Sequence, residues 1–193
     1  MTDITPTNEQ HSAIKQVVDW YKKKDDQVFY LAGYAGVGKS TICGIAINDI
    51  KEKFKAESVY TATYTGKAAS VLRKKGVDAT TIHSLIYNPK INRRTGELKG
   101  FTVDPQSAAS EADLIVLDEC SMIDDVIAKD LLSFKKKILV MGDPGQLPPV
   151  KGAGYFTRNA PDVFLQEIHR QCADSPIIRL ATMARKGEDI SKG

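Results

Sequence analysis

Gly33-Tyr34-Ala35-Gly36-Val37-Gly38-Lys39-Ser40, followed by Thr41, decides how the rest of this sequence is read. The stretch satisfies G-x-x-x-x-G-K-[ST]. It follows an apolar run, Val28-Phe29-Tyr30-Leu31-Ala32, and precedes a helical pattern. Glycines let such a loop wrap its backbone N–H groups around phosphate oxygens, in conformations that other residues resist. A helix beginning near Lys39 aims its positive end at the same place. Gly33, Ala35, Gly36, Val37, Gly38, Lys39, Ser40 and Thr41 are therefore the candidate nucleotide-binding set. Lys39 would reach the terminal phosphates, and the Ser40 hydroxyl would ligate Mg²⁺. A chance glycine turn is the alternative, and the strand–loop–helix context argues against it.

Outward from this loop, short apolar runs alternate with helical stretches. Leu114-Ile115-Val116-Leu117 and Ile138-Leu139-Val140-Met141 are apolar at consecutive positions, and Val59-Tyr60-Thr61-Ala62-Thr63 is a more polar fourth run. Such runs fit strands covered on both faces, as in a parallel sheet. Lys39 to Phe54 places Ile42, Ala46, Ile47, Ile50 and Phe54 on a helical stripe. Gly66 to Lys74 and Ile123 to Phe134 read as helices too. The alternation predicts a layered α/β domain. Each strong run leads directly into a polar or glycine cluster: the loop after Ala32, Asp118-Glu119 after Leu117, and Gly142-Asp143-Pro144-Gly145-Gln146 after Met141. Ligands of open parallel sheets bind beyond the carboxyl ends of the strands, so the three clusters should share one edge. There Asp118 would hold Mg²⁺, and Glu119 would orient and deprotonate the attacking water. Two adjacent acids point to hydrolysis.

Size and composition narrow the classes. The chain has 193 residues, 42% apolar and 26% charged, which suits one compact soluble domain. No apolar run approaches the roughly 20 residues of a membrane span, and Met1 to Pro6 lacks the pattern of a signal peptide. Cys43, Cys120 and Cys172 lie far apart with no metal spacing, which reads as reduced thiols of a cytoplasmic protein. The net charge of +3 permits nucleic-acid binding without arguing for it. Lys90 to Val103 is polar and basic, with a turn at Thr95-Gly96; its alternation suggests a short hairpin within 88–106.

With these residues in hand, the chain resembles superfamily 1 DNA helicases of the RecD/Dda-like 5′→3′ branch. The motifs come in the family's order. Thr7-Asn8-Glu9-Gln10 looks like the N-terminal glutamine motif, and Gly33 to Thr41 like motif I. Thr63-Tyr64-Thr65-Gly66-Lys67-Ala68-Ala69 is similar to motif Ia, and Thr80-Thr81-Ile82-His83-Ser84-Leu85 to motif Ib. Leu117 to Met122 is similar to motif II, Gly142 to Val150 to motif III, and Glu167-Ile168-His169-Arg170-Gln171 to motif IV.

The resemblance implies a three-layer RecA-like P-loop NTPase domain with a mostly parallel central sheet and a small inserted β-hairpin. ATP and Mg²⁺ would be its cofactors and single-stranded DNA its partner. Gln10 would read the adenine, unless it is simply exposed. Gln146 would touch the γ-phosphate or its water. Arg170 would place a guanidinium on the γ-phosphate, unless it makes a surface salt bridge. Thr63, Thr65, Lys67 and His83 could grip DNA phosphates, and Tyr64 could stack on a base. Core packing for Tyr64 and a structural role for His83 stay open. Arg93 and Arg94 occupy the slot of the family's strand-separating pin, subdomain 1B. The family's second motor domain, with motifs V and VI, has no counterpart in this sequence. Residues 1–193 are thus expected to form the first motor domain, cut from a longer helicase or completed by a separate polypeptide. Alone it should hydrolyse ATP weakly and not unwind DNA. A non-motor nucleotide switch and a small-molecule phosphotransferase are the competing readings.

Overall fold

The computed structural model describes residues 5–23, 25–144 and 154–167. Strands β1 (Val28–Gly33), β2 (Val59–Thr63), β3 (Ala79–Thr81), β6 (Leu114–Asp118), β7 (Lys137–Gly142) and β8 (Val163–Leu165) form one sheet in the order β3-β2-β6-β7-β1-β8. Every pairing in it is parallel. Strands β4 (Tyr87–Ile91) and β5 (Leu98–Val103) form a separate antiparallel hairpin.

Consecutive apolar residues work because the sheet is covered on both faces. Leu31, Leu114, Val116, Leu139 and Met141 pack with α1 (Asn8–Lys22) and α2 (Lys39–Phe54) through Val17, Ile42, Ala46 and Ile50. Their neighbours Tyr30, Ala32, Ile115, Leu117, Ile138 and Val140 face the other way. They pack with α4 (Ile82–Ile86) and α5 (Asp125–Ser133) through Ile82, Leu85, Ala128 and Leu131. Period-two alternation feeding two apolar layers is the physical content of the three-layer arrangement. Each fully buried Leu or Ile contributes about 1.5–3 kcal/mol of transfer free energy.

Several boundaries differ from the sequence reading. The helix expected from Ile123 begins at Asp125, because the Asp124 carboxylate accepts hydrogen bonds from the N–H groups of Val126 and Ile127 and caps it there. Ile123 turns into the core instead. α3 spans Gly66–Lys74 as expected, started by the Thr65 hydroxyl, which accepts from the Ala68 N–H. Strands β3 and β8 and helix α4 were not anticipated; each has three to five residues, too few for a periodic signal. The hairpin expected within 88–106 starts one residue earlier: its strands run from Tyr87 to Val103, and the Asp104 N–H donates to the Ile86 carbonyl at its base. Cys172 lies outside the described residues. Among the described residues, no helix is long and apolar enough to cross a membrane.

Candidate nucleotide site

Parallel pairing brings the carboxyl ends of β1, β2, β6 and β7 to one edge, and that edge carries the candidate site. The loop after β1 turns on Gly36 at φ 84° and Gly38 at φ 85°, in the left-handed region where a side chain is strained. Gly33 must lack a side chain for a different reason: a Cβ there would lie 2.8 Å from Val37 Cγ2 and 3.0 Å from Leu165 Cβ. Val37 is buried beneath the loop and anchors it, while Ala35, Ser40 and Thr41 face outward. The Lys39 ammonium donates to the carbonyls of Gly33 and Tyr34, at 2.5 and 2.9 Å. It therefore lies folded over the loop.

Gln10 reaches the same loop from α1. Its Nε2 donates to the Val37 carbonyl at 3.0 Å, and its Oε1 accepts from the Thr7 N–H at 2.9 Å. The residue is 3% exposed, so the reading of Gln10 as a solvent-facing side chain does not hold. An amide has two acceptor lone pairs and two protons, and these bonds use one of each. The other pair is what an adenine edge would need.

Asp118 ends β6, which lies one strand removed from β1, with β7 between them. Burial pushes the Asp118 carboxyl up from its ordinary range. The Glu119 N–H, donating to Asp118 Oδ1 at 2.9 Å, and the charges of Lys39 and Lys75 pull it back. Glu119 itself adopts φ 56°, ψ 47°, a left-handed conformation that is costly for a residue with a side chain. Its backbone turns sharply off the strand, and the residue is exposed to the cleft. Such strain is kept where the surroundings over-determine it, often at functional positions.

These groups share one open cleft of about 390 Å³. Lys39, Ser40, Asp118 and Glu119 line it together with Thr65, Lys67, Lys75 and Asp143. The donor chemistry suits Mg²⁺, a hard cation that takes one or two protein oxygens and completes its shell with phosphate and water. Ser40 and Asp118, both in the lining of the cleft, carry oxygens of that kind. Lys75 was missed by sequence reasoning, whereas Asp143 belongs to the Gly142 to Gln146 cluster expected on this edge. Asp143 had a signal: it is the first residue beyond the β7 end, the same station that Glu119 holds after β6. Lys75 had none, since only the packing of α3 brings it to the cleft.

The DNA candidates fall into separate places. Thr65 and Lys67 line the cleft just described. Thr63 is fully buried, and its hydroxyl donates to the Thr65 carbonyl at 2.8 Å, so its side chain shapes the β2–α3 turn instead of presenting itself to a phosphate. Tyr64 packs partly against the core. His83 packs against Tyr87 in a tilted contact and against Phe101 edge-on, with ring centroids 5.2 and 5.5 Å away. This arrangement fixes the base of the hairpin and favours the structural reading of that histidine. Arg93 and Arg94 are exposed between β4 and β5. Gln146 and Arg170 lie outside the described residues.

The chain matches the AAA domain family over residues 5–192. It is similar to the ATP-dependent RecD2 DNA helicase of Deinococcus radiodurans, with 35% identity over 82% of this chain and 22% of that protein. It is also similar to the ATP-dependent DNA helicase dda of Enterobacteria phage T4, with 30% identity over 97% of this chain and 44% of the relative. Among solved structures, a Bacteroides Pif1 bound to ssDNA aligns over 98% of this chain and 48% of its own, at 22% identity and a TM-score of 0.62. The chain thus spans less than half the length of each of these proteins.

Proposed function

The chain belongs to the AAA domain family and is a first motor domain of the RecD-like superfamily 1 helicase kind; from that premise we propose that it binds ATP with Mg²⁺ and hydrolyses it to drive movement on single-stranded DNA. The observation that carries this reading is the shared cleft, where the Lys39 loop and the Asp118-Glu119 pair meet on one sheet edge. A bound Mg²⁺ would neutralise charge between the last two phosphates. Ser40 and Asp118 would hold it. Lys39 would leave the carbonyls of Gly33 and Tyr34 for the terminal phosphates, and the N–H groups of Gly36 to Ser40 would cradle the β-phosphate. Glu119 would orient a water for in-line attack and take its proton. Gln10 would read the adenine with its second lone pair and second amide proton while still holding the loop. Gln146 and Arg170 are assigned to the γ-phosphate by resemblance to motifs III and IV.

On the DNA side, Thr65, Lys67 and the exposed Arg93 and Arg94 are the groups assigned to phosphates. The 88–106 hairpin is assigned as the 1B-like pin. A second RecA-like domain, in cis or in trans, would close over the ATP, so turnover by this chain alone should be weak and unwinding absent. ATP turnover with and without single-stranded DNA, measured on the wild type and on Glu119→Gln, tests the proposal. Loss of a positioned base should cost about 10²- to 10⁴-fold in turnover while ATP binding persists. Hydrolysis that ignores both DNA and the substitution would reject the motor and favour the non-motor switch.

A further inference from the structure

We propose that Cys120 is a positioning residue for Glu119: its thiol, seated in a notch that Gly142 leaves open, holds the strained turn from which Glu119 enters the cleft. The proposal rests on the reading of Glu119 as the water-orienting base. Strands β6 and β7 are paired as far as Leu117 and Val140, and then their paths divide. β7 runs on in strand to Gly142, while the β6 chain turns at Glu119 into a short 3₁₀ segment, Cys120–Met122. Cys120 is fully buried. A Cβ on Gly142 would lie 2.7 Å from the Cys120 Sγ, far inside the 3.4 Å at which ordinary contact begins. The thiol thus takes the space that a side chain at position 142 would need. Each partner in this contact is the chain neighbour of a cleft acid, Glu119 in one case and Asp143 in the other.

Something has to hold Glu119, because a left-handed conformation in a residue with a side chain persists only where its surroundings impose it. On its N-terminal side, the Glu119 N–H donates to Asp118 Oδ1 at 2.9 Å. That bond joins adjacent residues and does not fix the direction in which the chain leaves the strand. The fixing comes from the C-terminal side. The Cys120 carbonyl accepts from the Ile123 N–H at 3.1 Å, which closes the turn, and the Ile123 carbonyl accepts from the Tyr155 N–H at 2.8 Å. A second glycine admits the backbone of the turn: a Cβ on Gly154 would lie 2.3 Å from the Ser121 carbonyl oxygen. Two glycines therefore back the turn, one against its thiol and one against its main chain. Cysteine has a single side-chain torsion, and a close-packed core leaves a buried thiol no free volume to turn into. A displacement of Sγ must then be carried by the Cys120 backbone, and so by Glu119.

The plainer explanation is core packing, in which the thiol fills space beside a small residue and nothing more. Substitutions here would then change stability and leave the chemical step alone. ATP hydrolysis should be followed in single turnovers with protein in excess for the wild type, Gly142→Ala, Cys120→Ala, the Gly142→Ala/Cys120→Ala pair and Glu119→Gln. ADP and a non-hydrolysable ATP analogue should be titrated alongside, and thermal unfolding sets a temperature at which every variant is folded. Gly142→Ala must open the contact from 2.7 to 3.4 Å, a shift of about 0.7 Å. It should lower the rate at saturating ATP by about tenfold, since a 1 Å misplacement costs about 10²-fold. Both affinities should stay within about twofold, the mark of an interaction made only in the transition state. Cys120→Ala empties the notch and should lower the rate by about threefold, the smaller loss of a turn that is loosened and not pushed. The pair puts a methyl group where Sγ stood and should run faster than either single variant, whereas losses at independent sites would add. The other neighbours of that methyl, the Tyr30 hydroxyl oxygen at 3.2 Å and Cε2 at 3.3 Å, need give only a few tenths of an ångström. Wild-type rates in both single variants, losses that add in the pair, or nucleotide affinities that fall in step with the rate would each overturn the proposal. If Gly142→Ala does not fold, Cys120→Ala decides alone, and an unchanged rate in it overturns the proposal. A wild-type rate untouched by Glu119→Gln would remove the reading of Glu119 and this proposal with it. A rate that Glu119→Gln abolishes and the other variants leave intact would remove only the role given to Cys120.

Discussion

Glu119 and Gly38 show opposite uses of the same backbone region. Glu119 holds φ 56° despite its side chain, at a cost of about 1–2 kcal/mol. Glu119→Gly should therefore stabilise the fold by about 1 kcal/mol and raise Tm by about 2–4 °C, while ATP turnover is lost. Thermal denaturation beside a turnover assay checks both halves, and a Tm that falls would contradict the strain. Gly38 holds φ 85° without strain, and a Cβ there would lie 3.0 Å from Gln10 Nε2. Gly38→Ala should cost about 1–3 kcal/mol and weaken nucleotide binding, because it forces the loop and displaces the amide that braces it. Equal stability of the variant and the wild type in urea would show that the loop can relax freely.

Helix α1 opens with a reciprocal cap, in which the Thr7 hydroxyl accepts from the Gln10 N–H and the Gln10 side chain accepts from the Thr7 N–H. Thr7→Ala should cost about 1 kcal/mol, read as a shift of the denaturant midpoint. It should also loosen the Gln10 amide and so weaken ATP binding. The hairpin leaves apolar side chains exposed. Tyr87, Pro89 and Ile91 alternate onto one face and pair with Val103, Phe101 and Leu98, and Ile91 and Leu98 are each 57% exposed. Tyr87 ties the element to α5 by donating to Asp130 Oδ2 at 2.5 Å. If Arg93 and Arg94 contact DNA phosphates, replacing both by Ala should lower single-strand affinity and flatten its dependence on log salt by about 0.7 per lost contact. An unchanged slope in a salt titration would remove them from the interface.

At the scale of the whole molecule, burial has moved several titrations out of reach. Desolvation pushes the thiols of Cys43 and Cys120 and the Tyr30 hydroxyl up to about 12. Each folded-state value lies above the unfolded one, so the native state keeps protons that an unfolded chain releases, for the thiols from about pH 8.5 upward. The stability is whole below that pH and is lost as pH rises towards 12, by at most about 1.4 kcal/mol per pH unit for each thiol. Urea unfolding at pH 7.5, 9 and 10 should show the decline, and Cys43→Ala with Cys120→Ala should reduce its slope. A flat profile would mean that the thiols titrate normally. For the same reason both thiols should resist alkylation at pH 8 until denaturant is added, as peptide mapping would show.

How much of this was legible in the sequence follows from the range of the forces involved. Local rules were enough for the glycine loop, the acid pair, the long central strands and the helices that cross between them, since glycine backbone freedom, unbroken apolar runs and the 3.6-residue stripe are all written within about fifteen residues. The shared edge was inferable too, because parallel strands must end on the same side. The strand order, and with it the β7 strand between the phosphate loop and the acids, came only from tertiary packing. So did Lys75 in the cleft, the burial of Thr63 and the aromatic contacts of His83. The Glu9 bonds to Gln166 and Glu167 carry no sequence signature at all: a charge that closes a gap of more than 150 residues has no period to betray it, and only the folded chain brings its partners within hydrogen-bond range.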